Sequence, residues 1–171
     1  MKSRFEKIYQ EQKDTVYGYL YYMSRDEQTS LDLSQETFLK VYRSLDRFKG
    51  QCSEKTWCLT IARNTFLSYA RKRQPQLLEE EAWERMADSA GGPEESALRS
   101  EQKITVRRVL ASLSEPERTV LLLRDYEGLS YKEIGEIMEV SEVVIKGRIF
   151  RARQHFKSLY EAMDGGACEK R

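Results

Sequence analysis

Leu113-Ser114-Glu115-Pro116-Glu117-Arg118, then Gly128-Leu129-Ser130-Tyr131-Lys132-Glu133-Ile134, then Val140-Ser141 and Lys146-Gly147-Arg148-Ile149-Phe150-Arg151-Ala152-Arg153 is the stretch that decides the fold. Ser114 with Glu117, and Ser130 with Glu133, place a hydroxyl and a carboxyl three residues apart, the spacing at which a helix start satisfies two orphan amides reciprocally. Pro116 falls in a first turn, where its missing N–H costs nothing. Short capped helices joined by a glycine-containing turn, with arginines on the second, are the sequence form of a helix-turn-helix that reads a DNA major groove.

The last helix has two faces. Ile145, Ile149, Ala152, Phe156 and Leu159 step by four and three, which predicts one buried stripe. Val143, Lys146, Gly147, Phe150, Arg151 and Gln154 fall opposite. A phenylalanine beside lysine and arginine suits a groove, where apolar atoms meet thymine methyls and cations meet guanine edges or phosphates. Gly147 inside a helix costs about 1 kcal/mol against alanine, so a close approach of backbone to DNA would compensate. A plain basic bundle helix with one stray aromatic is the other account.

Working outward, the chain reads as all-α, with no strand-type alternation of useful length. Phe5, Ile8, Val16, Tyr19, Leu20 and Met23 predict a first helix from about Arg4 to Ser24. Phe38, Val41, Tyr42 and Leu45 define a second stripe, and Arg47 to Ser53 break it as a loop. Ser53 can cap a third helix with Cys58, Ile61, Ala62, Thr65 and Tyr69 inward, stopping near Gln74-Pro75 because the residue before a proline leaves the α region. From Pro75 to Pro93 the sequence turns acidic and poorly periodic, although Trp83 and Met86 are docking-type residues. Ile104, Val109 and Leu113 predict a helix leading into the helix-turn-helix. The expected organisation is two small helical domains, residues 1–74 and 97–163, joined by a flexible acidic linker, 75–96, with a disordered tail, 164–171.

Composition bounds the function. The 171 residues are 40% hydrophobic and 33% charged, with a net charge of +1, so nucleic-acid binding cannot be argued from the total. Its distribution is informative: from Lys55 to Leu78 there is no acidic residue while Arg63, Arg71, Lys72 and Arg73 accumulate, and Glu79, Glu80, Glu81, Glu84 and Asp88 follow. This is charge segregation. No apolar run reaches transmembrane length and the start lacks a signal-type segment, which predicts a cytoplasmic protein without membrane insertion. Cys52, Cys58 and Cys168 have no CxxC spacing and His155 is the only histidine, so neither a zinc site nor another cofactor is expected. Cys58 reads as a small core residue, and a cytoplasmic setting argues against disulfides. With one tail-proximal histidine, no phosphate-binding glycine loop and no carboxylate pair placed by motif, the sequence shows no catalytic constellation, so a helical hydrolase is disfavoured. A transcriptional regulator with a sensory first domain is the remaining rival.

Two further segments separate that rival from another reading. Asp32-Leu33-Ser34-Gln35-Glu36-Thr37-Phe38, Phe48-Lys49-Gly50 with Thr56-Trp57 and Ile61-Ala62-Arg63-Asn64, and the helix-turn-helix itself stand in the order found in extracytoplasmic-function (ECF) sigma factors. The chain resembles that family from about Tyr9 to Leu159, departing at Ser30-Leu31, where Ala-Glu is usual, and at Val143-Val144, where Gly-Thr is common. The resemblance implies a sigma region 2 bundle and a sigma region 4 helix-turn-helix. It implies contact of Asp32, Leu33, Gln35, Glu36 and Leu39 with the clamp helices of the largest subunit of core RNA polymerase, while Phe38, Val41 and Tyr42 hold the core. An ordinary solvated acidic face is the alternative for that segment alone. Phe48, Lys49, Arg63, Asn64 and Arg71 would meet the −10 element, with Asn64 taking a flipped base and Phe48 a stacked one. For Asn64 a helix-surface or capping amide is the alternative. Ser130, Lys132, Val143, Lys146, Gly147, Phe150 and Arg151 would meet the −35 element. The implied partners are core polymerase, including the flap of its second-largest subunit, promoter DNA, and an anti-sigma factor, often membrane-anchored in the family.

Overall fold

The computed structural model describes residues 2–73 and 96–168. Every regular element among them is helical: α1 (Lys2–Ser24), α2 (Glu27–Ser44), α3 (Glu54–Lys72), α4 (Ser96–Ser112), α5 (Glu115–Leu121), α6 (Tyr131–Met138) and α7 (Glu142–Cys168). The expected linker lies outside the described residues from 75 to 95, Trp83 and Met86 included. Ser96 already opens α4. The tail boundary at 164 does not stand: α7 runs on to Cys168, since extending a formed helix costs far less than nucleating one. Residues 169–171 lie outside the described residues.

α1 to α3 form the first bundle. Ile8, Val16, Tyr19, Leu20 and Met23 are buried at the helical spacing that predicted them. α1 stops at Arg25, whose φ of 61° is left-handed. Asp26 then caps α2 by accepting from the Thr29 N–H at 2.8 Å. Ser53 caps α3, accepting from the Thr56 N–H at 3.0 Å. Two residues depart from the expected interior of this bundle. Tyr42 is 46% exposed and meets Phe5 edge-on, with centroids 5.2 Å apart. On α3, Leu59 and Phe66 are buried where Ile61 and Tyr69 are only partly covered. α3 packs on α1, α2 and α6, so its buried side is turned and wider than one bundle requires.

The second half is built as its caps dictate. Glu117 accepts from the Ser114 N–H at 3.0 Å and hydroxyl at 2.8 Å. The Glu133 carboxylate accepts from the Ser130 N–H at 2.9 Å, and the Ser130 hydroxyl accepts from the Glu133 N–H at 3.2 Å. Between these starts α5 widens into a π-helical turn over Leu122–Tyr126, closed by the Glu127 N–H on the Leu122 carbonyl at 2.9 Å. The helix-turn-helix turn is tight: a Cβ on Gly135 would stand 2.7 Å from the Val140 carbonyl oxygen. Glu139 turns the chain there with φ 56° and ψ 41°, a conformation glycine normally takes. Ile145, Ile149 and Ala152 are buried and Phe156 and Leu159 partly so, the stripe expected of α7.

The two halves pack against each other, α1 on α4 and α5, and α3 on α6, and one apolar core runs through both. Arginines cross in both directions. Arg118, 5% exposed, donates to Leu110, Ala111 and Leu113 carbonyls at 2.6, 3.0 and 2.8 Å, closing the end of α4, and to the Met23 carbonyl of α1 at 3.2 Å. Arg25 returns the contact, donating to the Ala111 carbonyl at 3.2 Å. Burial pushes the Arg118 guanidinium pKa down to about 10, yet four carbonyls at helix ends, where the macrodipole is negative, hold its charge.

Candidate nucleic-acid and partner interface

Three surfaces carry the residues singled out by sequence. The first is the outer side of α2. Asp32, Gln35 and Glu36 are exposed and Leu39 is 50% exposed. Leu33 is not on this face: at 4% exposure it belongs to the core, because a residue one step from Asp32 is turned about 100° around the helix. Gln28 donates to Asp32 at 3.0 Å and Lys40 pairs with Glu36 at 2.7 Å. Beside the carboxylates lies a concavity of about 560 Å³ lined by Phe5, Tyr9, Leu31, Phe38, Leu39 and Tyr42 among others. Tyr9 and Leu31 were not singled out, though Leu31, Gln35 and Leu39 step by four and so share a face.

The second surface surrounds Asn64, and here the expected grouping breaks. Phe48 lies flat on Trp57, with centroids 4.2 Å apart and planes at 8°, and the Arg4 guanidinium stands 5.7 Å over its ring. At 8% exposure it has no face left for a base. Arg63 turns away from Asn64, its neighbour in sequence, and forms a forked pair with Glu115 of α5 at 3.2 and 3.3 Å. Arg71 folds back on Leu67 and Ser68, while Lys49 stays exposed. Asn64 instead opens onto a concavity of about 500 Å³ with Lys40, Arg43, Ser44, Arg47, Thr65 and Ser68. Its cations therefore come from α2 and from the 3-10 turn that follows it, Leu45–Arg47. The Lys40 ammonium reaches Thr65 at 3.1 Å. Lys40 and Arg43 stand three apart on α2 and Arg47 ends the 3-10 turn after it, a basic spacing that is present in the sequence but runs on directly from the acidic motif.

The third surface is the outward face of α7. Val143 is 81% and Phe150 65% exposed, Lys146 and Arg151 are exposed, and Gly147 lies between them. A Cβ on Gly147 would meet only the Arg151 guanidinium, at 3.5 Å or more. Ser130 and Lys132 are exposed at the start of α6, with the Ser130 hydroxyl engaged by Glu133 at 2.9 Å. The Glu133 carboxyl is held below its usual range by the Ser130 backbone N–H, with further help from the Ser130 and Thr56 hydroxyls. Glu117 is likewise lowered: burial opposes ionisation there, but bonds from Ser114 and His155 outweigh it.

Part of this chemistry is spent between the halves. Besides Arg63 and Glu115, Lys55 pairs with Glu127 at 2.8 Å. The Thr56 hydroxyl donates to Glu133 at 3.2 Å, and the Tyr19 and Thr119 hydroxyls meet at 3.2 Å. Burial raises the Tyr19 phenol well above its ordinary value.

Comparison with known proteins finds a family match in each half. The family profile Sigma-70 region 2 matches residues 8–76 and Sigma-70 region 4 matches residues 103–156. The chain is 35% identical to RNA polymerase sigma-H factor of Pseudomonas aeruginosa over 162 residues, covering 90% of this chain and 84% of that one. It is 39% identical to ECF RNA polymerase sigma-E factor of Escherichia coli K12 over 132 residues, covering 72% and 69%. In fold it is similar to the sigma factor RpoE of Bartonella quintana, solved with the anti-sigma factor NepR, with TM-score 0.73, 25% identity, and coverage of 92% of this chain and 97% of that one.

Proposed function

The chain belongs to the extracytoplasmic-function sigma factors of bacterial RNA polymerase, and from that premise we propose how its three surfaces divide the work. The α2 face, Asp32, Gln35, Glu36 and Leu39, docks on the clamp helices of the largest polymerase subunit in the cytoplasm, and the second half also meets the flap of the second-largest. The concavity at Asn64 takes a base of the −10 element once it has left the stack, and Lys40, Arg43 and Arg47 meet the adjoining phosphates. α7 lies in the major groove of the −35 element. Flipping a base costs a few kcal/mol, a sum within reach of one amide contact and a few charge-assisted bonds.

The observation that carries this reading is the division of α7: Val143, Lys146, Phe150 and Arg151 face solvent while Ile145, Ile149 and Ala152 hold the core. A solvated helix has no use for an exposed phenylalanine between cations, whereas a groove reader does. The near-neutral charge fits a subunit that binds promoters only within the polymerase, since each half alone releases few counterions and the second contact gains from tethering.

Elements at −35 and −10 lie about 85 Å apart along straight B-form DNA. A compact chain of this length has a radius of gyration of about 16 Å. The packed halves therefore separate when both elements are held, and an anti-sigma partner is the kind of protein that would keep them together. Pulldown with purified core polymerase, followed by run-off transcription from a candidate promoter, tests the proposal. Retention on core and a promoter-dependent transcript are expected; failure of retention overturns it.

A further inference from the structure

Val143 is the most exposed large apolar side chain among the described residues, at 81%. Nothing in the fold rewards it: a β-branched residue is a modest helix former, and here it buries little. Its neighbour one turn on along the same face is Gly147, which has no side chain. The two positions lie about 6 Å apart along the axis. A notch results, with Val143 as one wall, bare helix backbone as its floor and the Arg151 guanidinium, 3.5 Å from where a Cβ would stand, as the other wall. Glu142, exposed beside Val143, sets a carboxylate at this end of the helix and repels phosphate from it. The end is thus suited to base edges, and the first residues of a recognition helix are the ones that reach them.

The only apolar group on a base edge in the major groove is the thymine 5-methyl. Resting on the assignment of α7 to the −35 element, we propose that the Val143–Gly147 notch receives the 5-methyl of one thymine there and so fixes a T·A pair at that position. Lys146, between the two on the outward side, reaches the neighbouring pair or its phosphate. The inference explains the glycine and the valine together: the first gives the methyl room and the second an apolar surface.

The test uses holoenzyme reconstituted from core polymerase and the full chain, with the preferred −35 duplex selected from a randomised pool. Each thymine of that duplex is replaced singly by deoxyuridine, which removes the methyl and nothing else. Wild type should lose about fourfold in affinity at one position, the equivalent of burying one methyl. Val143→Ser and Gly147→Ala should each bind thymine and deoxyuridine alike at that position. Both variants should melt no lower than wild type, because Val143 buries little and the alanine methyl meets only ordinary contact. No thymine whose methyl matters, or undiminished discrimination in Val143→Ser or in Gly147→Ala, overturns the proposal. If scrambling the whole −35 duplex leaves holoenzyme binding unchanged, it is the assignment of α7 that fails.

Discussion

Glu115→Arg should open the molecule, and restoring the opposite charge across the interface should close it. Arg63 and Glu115 are the forked pair between α3 and α5, with side chains 13% and 25% exposed. Two unit charges at about 4 Å interact by about 4 kcal/mol at an effective dielectric of 20. Desolvation and side-chain ordering return part of this, so the net value falls between the 0–1 kcal/mol of exposed pairs and the 3–5 kcal/mol for breaking buried ones. About 2 kcal/mol is the working figure. Reversing Glu115 removes that attraction and adds repulsion from Arg63, so the ratio of closed to open molecules should fall by a factor of roughly 30 or more. Dyes on the outer faces of α2 and α7, followed by single-molecule energy transfer, read that ratio directly. The Arg63→Glu/Glu115→Arg double variant rebuilds the pair with its sign exchanged and should recover most of the closed population. High salt should open wild type only slightly, since the pair is mostly shielded from screening ions. An unchanged energy-transfer histogram for Glu115→Arg would refute the estimate, and failure of the double variant to recover closure would refute the pairwise account.

Glu139→Gly should stabilise the protein by about 0.5–1 kcal/mol, the left-handed penalty of a side chain at φ 56° less the extra freedom of glycine when unfolded, seen as a higher melting midpoint. Acid should destabilise the fold: Asp26, Glu117 and Glu133 have folded pKa values below their ordinary ones, so their stabilisation is complete above the unfolded carboxylate range near pH 4 and fades as pH falls through the folded values. Urea midpoints between pH 7 and 3 should trace this loss, with a shallower slope in Glu133→Gln. Asn64→Ala should lower open-complex formation on duplex promoters, with a premelted bubble recovering much of the loss; equal defects on both templates would make Asn64 structural. Asp32→Lys with Glu36→Lys should abolish core-polymerase binding at a stability change of no more than roughly 0.5 kcal/mol per site, checked by competition for core and by thermal melting.

Helix positions and caps were legible because they depend on near neighbours. The pairs Ser114–Glu117 and Ser130–Glu133, the stripe Ile145–Ile149–Ala152 and the loop ending at Ser53 all follow from spacings under five residues. Surfaces assembled from distant segments were not legible in the same way. Motif order placed Phe48, Arg63 and Asn64 together, but Trp57 covers Phe48, and Arg63 sits a third of a turn from Asn64. Leu33 fell into the polymerase list because a motif is linear while a helix is round. The packing of the halves left no trace in periodicity: Glu115 reads equally well as a first-turn acid favourable to the α5 dipole and as the partner of Arg63, and it serves as both.

Arg118 has a consequence for how such a protein can change over generations. Its guanidinium finishes α4 through three carbonyls and grips α1 through a fourth, so one side chain serves both the integrity of the second half and its adhesion to the first. A substitution that loosened the grip would also expose the end of α4, and a lineage could not adjust one without damaging the other. Heritable variation in the strength of closure is therefore channelled to positions that serve the contact with less structural debt, such as Arg63, Lys55 and Glu127. Drift at those sites can make descendants more or less reluctant to open while each half keeps its architecture.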